Sequence, residues 1–456
     1  MKKLLFFFIL TLLPMLASAN AIEIDGIYYN LDSEAKTAEV TSKPDRYKDD
    51  VIIPETVRYN ETIYNVNTIG WAAFNNCSGL TSVTIPNSVT FIDNGAFYGC
   101  SGLTSVTIGS SVTSIGEWAF SGCIGLTSVK IPNSVTEIGD YAFQSCTSLT
   151  SITIPSSVTS IGKYSFFDCS GLKSIAVENG NPVYDSRESC KALIKTSDNE
   201  LILGCMNSTI PNSVTRIGQA AFQNCKRLLS VRIPNSVVSV GQNAFYNCSG
   251  LTSVTIPNSV TSIGEYVFYN CSGLISVTIP NSVTFIDNHA FQFCSGLTSI
   301  TIGSGTITIG DQVFACCPEL KDVYCYAKSV PYTYADSYSN AFKDSSIEYA
   351  TLHVPAGSVS AYQAVKPWKN FKEIVALPSK DDYRPFVEEG KVWTYHYQGF
   401  NGREFNVGRV IDGDTIIGGV TYKKIYDQVG GQYQYALREE GKKVYIVLLV
   451  SDKKLS

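Results

Sequence analysis

The chain has 456 residues, with 35 Lys and Arg against 40 Asp and Glu and a net charge of −5 at pH 7. Only 16% of its residues are charged, while 44% are hydrophobic and 12% aromatic, a balance that excludes a disordered chain and a coiled coil. The acidic balance also argues against general nucleic-acid binding, which needs a basic face, and three histidines (His289, His353 and His396) leave little material for metal or general-base chemistry.

Residues 1–19 read as an export signal. Lys2 and Lys3 precede an apolar run from Leu4 to Leu16, and Ala17-Ser18-Ala19 supplies a small-x-small cleavage pattern. That run is too short to span a bilayer, and the longest strongly apolar run downstream is Val444 to Val450, so no membrane span is expected. Residues 20–68 alternate without a longer period and read as an N-terminal β cap.

A repeat then takes over. Cys77, Cys100, Cys123, Cys146 and Cys169 are spaced by 23, as are Cys225, Cys248, Cys271, Cys294 and Cys317, and the 56-residue gap between the two series equals two periods plus ten residues. A solenoid over residues 69–325 is therefore expected, with one modified coil at 170–211. Within a coil, Val83 and Ile85 alternate inward with Ser82 and Thr84 outward, as in a short strand. Pro86-Asn87 stops the strand, and Val89, Ile92, Ala96 and Phe97 return along the other side. Five large apolar side chains at about 2 kcal/mol each do not offset the roughly 25 kcal/mol needed to order such a coil. Coils must stack, which joins their strands into one continuous parallel sheet.

Residues 326–377 lose the register and read as a C-terminal cap with a short helix near Ser358 to Ala364, and 378–382 read as a linker. Residues 383–456 read as a small all-β module, with strands at Val392 to Tyr397, Glu404 to Ile411, Val420 to Tyr426, Gln432 to Leu437 and Val444 to Leu449. The absence of a cap at Lys453 to Ser456 is the expectation for a truncated module. Asp412-Gly-Asp414 begins like a calcium loop, but Ile416 falls where an oxygen ligand belongs, so a hairpin turn is expected there.

The motif Ile-Gly-x-x-Ala-Phe-x-x-Cys, at Ile69 to Cys77 and Ile138 to Cys146, followed by Leu-Thr-Ser-Val-Thr-Ile-Pro, resembles the BspA-type leucine-rich repeats of bacterial surface proteins. Ile24 to Tyr28 and Val51 to Pro54 resemble that family's N-terminal cap, and Leu352 to Ser358 with Trp368 to Phe371 its closing cap. The resemblance covers about residues 22–377. It implies a leucine-rich-repeat β-solenoid and a surface-exposed binding protein, adhesin-like in some members, with ligands that differ between members.

No cofactor or metal is expected. The periodic cysteines form one column with parallel side-chain vectors, which suits buried thiols better than disulfides or a convergent metal site. Cys190 and Cys205 differ. Ala192 to Lys195 and Glu200 to Leu203 flank a polar loop, and pairing Lys195 with Glu200 gives a hairpin whose partner numbers sum to 395. That register sets Cys190 opposite Cys205 as a disulfide candidate, two small buried residues being the alternative.

A binding site is sought on the surface. The outward strand positions form concave columns that include Ser82, Thr84, Ser105, Thr107, Lys130, Thr153, Arg232, Thr255, Thr278, Thr301 and Tyr324. They read either as a solvated β surface or as a hydroxyl field for an extended extracellular protein or glycan. Trp118, Tyr141, Tyr164 and Tyr266 form a rival convex patch. The favoured function is an exported, non-catalytic interaction protein; the alternative places enzymatic or substrate-capture chemistry in residues 383–456, with the solenoid as spacer.

Overall fold

A computed structural model describes residues 21–334 and 339–377, and beyond residue 391 the backbone of five strands. The export signal and the 378–382 linker lie outside the described residues. The chain divides into two compact units, Met1–Leu377 and Pro378–Ser456.

The first unit opens on a hairpin of Ile22–Ile24 and Ile27–Asp32 with Ile24 opposite Ile27. Asp25 and Gly26 both hold positive φ, 50° and 81°, the two-residue turn whose twist matches the strands. Ile27–Asp32 pairs antiparallel with Thr37–Thr41, which runs parallel to Thr62–Ile69. Tyr29, Val40, Val66 and Ile69 are buried beneath this sheet. Tyr47 carries the core onward, its ring 4.4 Å from that of Phe74.

From Phe74 the chain winds as a β-solenoid in which each coil has three sides. The first carries strands such as Leu80–Thr84 and Ser105–Thr107, paired in parallel so that Val83 lies beside Val106. The second carries two-residue strands such as Phe91–Ile92 and Ser114–Ile115. The third side is all turns, yet it is cross-linked too: the Phe74 N–H donates to Ala96 O at 2.7 Å and the Asn76 N–H to Tyr98 O at 2.6 Å. Residues four apart on that side, as at Gly95 and Gly99, take left-handed backbone, and the N–H groups of Gly95, Phe97 and Gly99 all donate to the next coil.

Inside, a phenylalanine column fills the space the three sides enclose. Phe74, Phe97, Phe120, Phe143 and Phe166 stack at 4.8 to 5.4 Å, and Phe222, Phe245, Phe268, Phe291 and Phe314 at 5.0 to 5.5 Å. The periodic cysteines pack beside them, all with free thiols and all buried except Cys225, which is half-buried. Gly102 shows how close the coils lie: a Cβ there would sit 2.3 Å from the Ser78 carbonyl oxygen.

Three expectations need correction. The first-side strands form several shorter ladders rather than one continuous sheet, with no strand at Leu126 to Lys130. Inter-coil bonds lengthen there: the Thr127 N–H reaches Thr104 O at 3.3 Å, against 2.9 Å from Thr104 to Thr81. Secondly, the modified coil pairs Lys195 with Glu200 and Ile194 with Leu201 as reasoned, but a bulge then sets Leu193 opposite Leu203. The constant sum of 395 ends at that bulge, and Cys190 and Cys205 are both free. The Cys205 thiol donates to Lys191 O at 3.3 Å and that of Cys190 to Ala192 O at 3.6 Å. This coil also has no ring in the phenylalanine column. Gly204 stands beside Phe222, where a Cβ would lie 2.1 Å from the ring, and the apolar core divides into two clusters here.

Strands Thr351–Val354 and Glu373–Ala376 extend the first side beyond the last regular coil. Between them, helix Val359–Ala364 brings Tyr362 inward to donate to Ala327 O at 2.9 Å, and the buried Trp368 indole donates to Pro331 O at 3.3 Å. In the second unit, Val392–Gln398, Glu404–Ile417, Val420–Asp427, Tyr433–Glu440 and Lys443–Leu448 form an antiparallel meander. The third correction falls here. Asp412-Gly-Asp414 is not a hairpin turn but an irregularity inside one long strand, with pairing broken between Ile411 and Asp414, the signature of a β-bulge.

Candidate binding surface

Repetition sets the geometry of the first side. Parallel pairing brings Ser82 beside Ser105, Thr84 beside Thr107, Arg232 beside Thr255 and Thr278 beside Thr301, at about 4.8 Å per coil. Thr84, Ser105, Thr107, Lys130, Thr153, Arg232, Thr255 and Thr278 are exposed, and Thr301 is half-exposed. None of these side chains hydrogen-bonds a described residue. The threonines one position before the serine column are occupied instead, Thr104 donating to Thr81 O at 3.1 Å and Thr252 to Leu229 O at 3.1 Å. A β-branched hydroxyl there supports the neighbouring coil's carbonyl, whereas the outward columns keep their hydroxyls for solvent.

The two ends of the columns are different. Ser82 is engaged: with Thr81 it donates to Asp50 Oδ1, each at 2.7 Å, and these bonds hold the Asp50 carboxyl below the usual range. Tyr324 stacks on His353 at 4.3 Å, and His353 Nε2 lies 2.9 Å from Asp322 Oδ1. This Tyr–His–Asp cluster was not foreseen, because His353 lies in the C-terminal cap, outside the 23-residue register.

The rival patch lies on the turn side. Trp118 stacks on Tyr141 at 4.1 Å and Tyr141 on Tyr164 at 5.4 Å, while Tyr266 stacks on His289 at 4.8 Å. All five are half-buried and occupy left-handed backbone at the position of Gly95, with φ from 56° to 60°. Their ring faces cover one another. Trp118 Nε1 donates to Glu117 Oε1 at 2.8 Å, and Tyr164 OH accepts from Gln219 Nε2 at 3.1 Å. Among the described residues, Tyr141 is thus stacked on both sides, while Trp118, Tyr164, Tyr266 and His289 each have one stacked partner.

Among the described residues no group of three or more His, Cys, Asp or Glu converges as a metal site, and no helix is long and apolar enough to cross a membrane. An internal gap between Ile233, Val240, Ile256, Val260, Ile263 and Phe268 is apolar packing space, without the convergent polar groups of a substrate site.

The profile of the BspA type Leucine rich repeat region matches six copies, over residues 67–187, 204–321 and 297–363. The chain belongs to this family. A leucine rich cell surface protein from Faecalibacterium prausnitzii is 31% identical over 68% of this chain and 95% of its own, with a TM-score of 0.46. A leucine-rich repeat protein from Bacteroides ovatus is 28% identical over 78% of this chain and 99% of its own, with a TM-score of 0.46. The pneumococcal vaccine antigen PcpA shares the fold, with a TM-score of 0.59 at 19% identity over 79% of this chain and 99% of its own. No curated protein matches the sequence. Family membership and the observed coils make the chain a BspA-like leucine-rich-repeat β-solenoid.

Proposed function

We propose that this protein is an exported, surface-associated, adhesin-like interaction protein without catalytic chemistry, which holds an extracellular protein or glycan along its outward strand columns. The supporting observation is the contrast between its two candidate surfaces. The hydroxyl and cationic groups of Thr84, Thr107, Lys130, Thr153, Arg232 and Thr255 are exposed and unengaged, whereas the aromatic rings of Trp118, Tyr141 and Tyr164 are mutually stacked. Many weak hydrogen bonds along a rigid, periodic face sum to useful affinity for an extended ligand. The leader pattern at residues 1–19 and membership in a family of bacterial surface proteins support the location. The alternative reading rests on side chains of residues 383–456, which lie outside the described residues.

An array of extracellular-matrix proteins and glycans, probed with the mature protein, tests the proposal. Binding to at least one element is expected, with loss in Thr107→Trp and Thr255→Trp and retention in Trp118→Ala. Loss only in Trp118→Ala moves the site to the turn side, and no binding on any element overturns the proposal.

A further inference from the structure

The protein carries a net charge of −5, yet its first side does not share that sign. Across ten coils, from Thr81 to Thr301, the outward positions of the first-side columns include no Asp and no Glu. They include Lys130, Lys173 and Arg232, all exposed. Lys191 joins them from the modified coil: its carbonyl oxygen accepts from Ser208 Oγ at 2.7 Å, which fixes it beside the coil that presents Thr209, and its side chain is exposed. None of these four cations forms an ion pair or a side-chain hydrogen bond with a described residue; Arg187, by contrast, is neutralised by Asp185 at 2.6 Å. Glu188, exposed close to Lys191 in the chain, offsets part of the charge.

Carboxylates return at both ends of the same face. Asp49 and Asp50 stand beside Leu80 and Ser82 at the N-terminal end, and Asp322 and Glu373 continue the columns at the C-terminal end. Exposed Lys321 and Lys372 accompany the carboxylates at the C-terminal end, so the face is acidic at its N-terminal end, basic for several coils around the modified one and mixed in charge at its C-terminal end. A negatively charged partner is attracted to the middle and repelled from the N-terminal end, which biases its register as well as its affinity.

The uncharged side chains narrow the class of partner. No Phe, Tyr or Trp stands among the outward positions from Thr81 to Thr301, so sugar rings find no aromatic platform. Two aliphatic side chains do stand out: Leu229, three residues before Arg232, is 66% exposed, and Ile275 is 55% exposed. Cations, aliphatic groups and hydroxyls at regular spacing suit an extended polypeptide that bears both carboxylates and aliphatic side chains.

We infer that the strand face takes an acidic, extended protein segment centred on the modified coil. The inference rests on the reading of this face as the binding surface. It is tested on the full chain by fluorescence anisotropy with a labelled peptide repeating Glu-Val-Glu-Ser, its Lys-Val-Lys-Ser counterpart, and heparin. Binding of the acidic peptide is expected, weakening as salt rises, with at least about a tenfold loss in the triple variant Lys130→Glu, Lys173→Glu and Arg232→Glu. These positions are exposed, and circular dichroism checks that the fold is kept. Equal affinity of wild type and triple variant overturns the inference; so does preference for the basic peptide, or binding of heparin without the acidic peptide. The array separates the two levels. A ligand lost in Thr107→Trp but unaffected by triple charge reversal leaves the strand face as the site and removes the acidic partner. A ligand unaffected by either change removes the site itself.

Discussion

The thiol of Cys123 donates to the carbonyl oxygen of Phe97, one coil back, at 3.2 Å. The same bond recurs from Cys146 to Phe120 at 3.3 Å and from Cys271 to Phe245 at 3.2 Å. Phe97 O already accepts the Cys100 N–H at 3.2 Å, so the thiol is a second donor to a buried oxygen and a tie between coils. Cys123→Ser keeps a donor in a smaller side chain, while Cys123→Val removes the donor and crowds the column. Both variants are expected to lose about 1 to 3 kcal/mol in urea denaturation, with Val the worse. Equal losses would mean that the sulfur acts only by its volume.

Alkali should weaken the solenoid through the same column. Burial pushes the Cys225, Cys271 and Cys317 thiols up to about 12, from an ordinary value of 9.0. Unfolded thiols ionise first, so between these values the unfolded chain binds fewer protons and stability falls as pH rises. The contribution is intact below pH 9.0 and is lost on the way to about 12, at about 1.4 kcal/mol per pH unit for each thiol. Denaturant titrations from neutral pH upward should show this fall, with a shallower slope in Cys271→Ala. A slope unchanged by that substitution counts against a buried neutral thiol.

Phe120 is fully buried between Phe97 at 5.0 Å and Phe143 at 5.3 Å. Phe120→Ala opens a gap that rings held by inter-coil bonds on all three sides cannot close. A loss of about 3 to 5 kcal/mol is expected, read as a lower thermal midpoint. An unchanged midpoint is incompatible with the stack.

How much of this was legible depends on whether a feature obeys the period. The cysteine spacing leads directly to the coil, and a phenylalanine three residues before each of those cysteines leads to the internal column. What escaped was aperiodic or too short. The Asp50 acceptor of Ser82 lies 32 residues upstream, in the cap. The second-side strands are two residues long, too brief to alternate visibly. The Cys190–Cys205 register assumed an uninterrupted hairpin, and one bulge at Leu193 undid it. The left-handed column did leave a trace, since Asn76, Gly99, Gly122, Asn224 and Asn247 share one position and Gly and Asn are the residues that tolerate it. Aromatic residues in the companion column concealed that trace.

Gly102→Ala should test inter-coil contact without touching the core. Its added Cβ would meet the Ser78 carbonyl oxygen at 2.3 Å, a backbone atom that cannot rotate away, while a Cβ at Gly357 would meet nothing within 4 Å. A loss of about 1 to 3 kcal/mol is expected for Gly102→Ala, and little change for Gly357→Ala. Equal behaviour in chemical denaturation would mean that the coils can separate by several tenths of an ångström at little cost.

Trp118 poses the sharpest choice between stability and use. Its backbone is left-handed, φ 60°, where the preceding coil has Gly95 at φ 62°, and a bulky residue there costs about 1 to 2 kcal/mol. Stacking on Tyr141 at 4.1 Å returns about 0.5 to 1.5 kcal/mol. The two nearly cancel, so Trp118→Gly should change stability by less than about 1 kcal/mol, far below the loss at Phe120. A loss above about 2 kcal/mol would make the aromatic ladder a structural brace. A near-neutral result shows that the coil does not require the ring, and binding measurements on the same variant then separate the two surfaces. Retained affinity agrees with a ligand on the strand columns; lost affinity in a fully stable variant assigns recognition to Trp118 and its stacked neighbours.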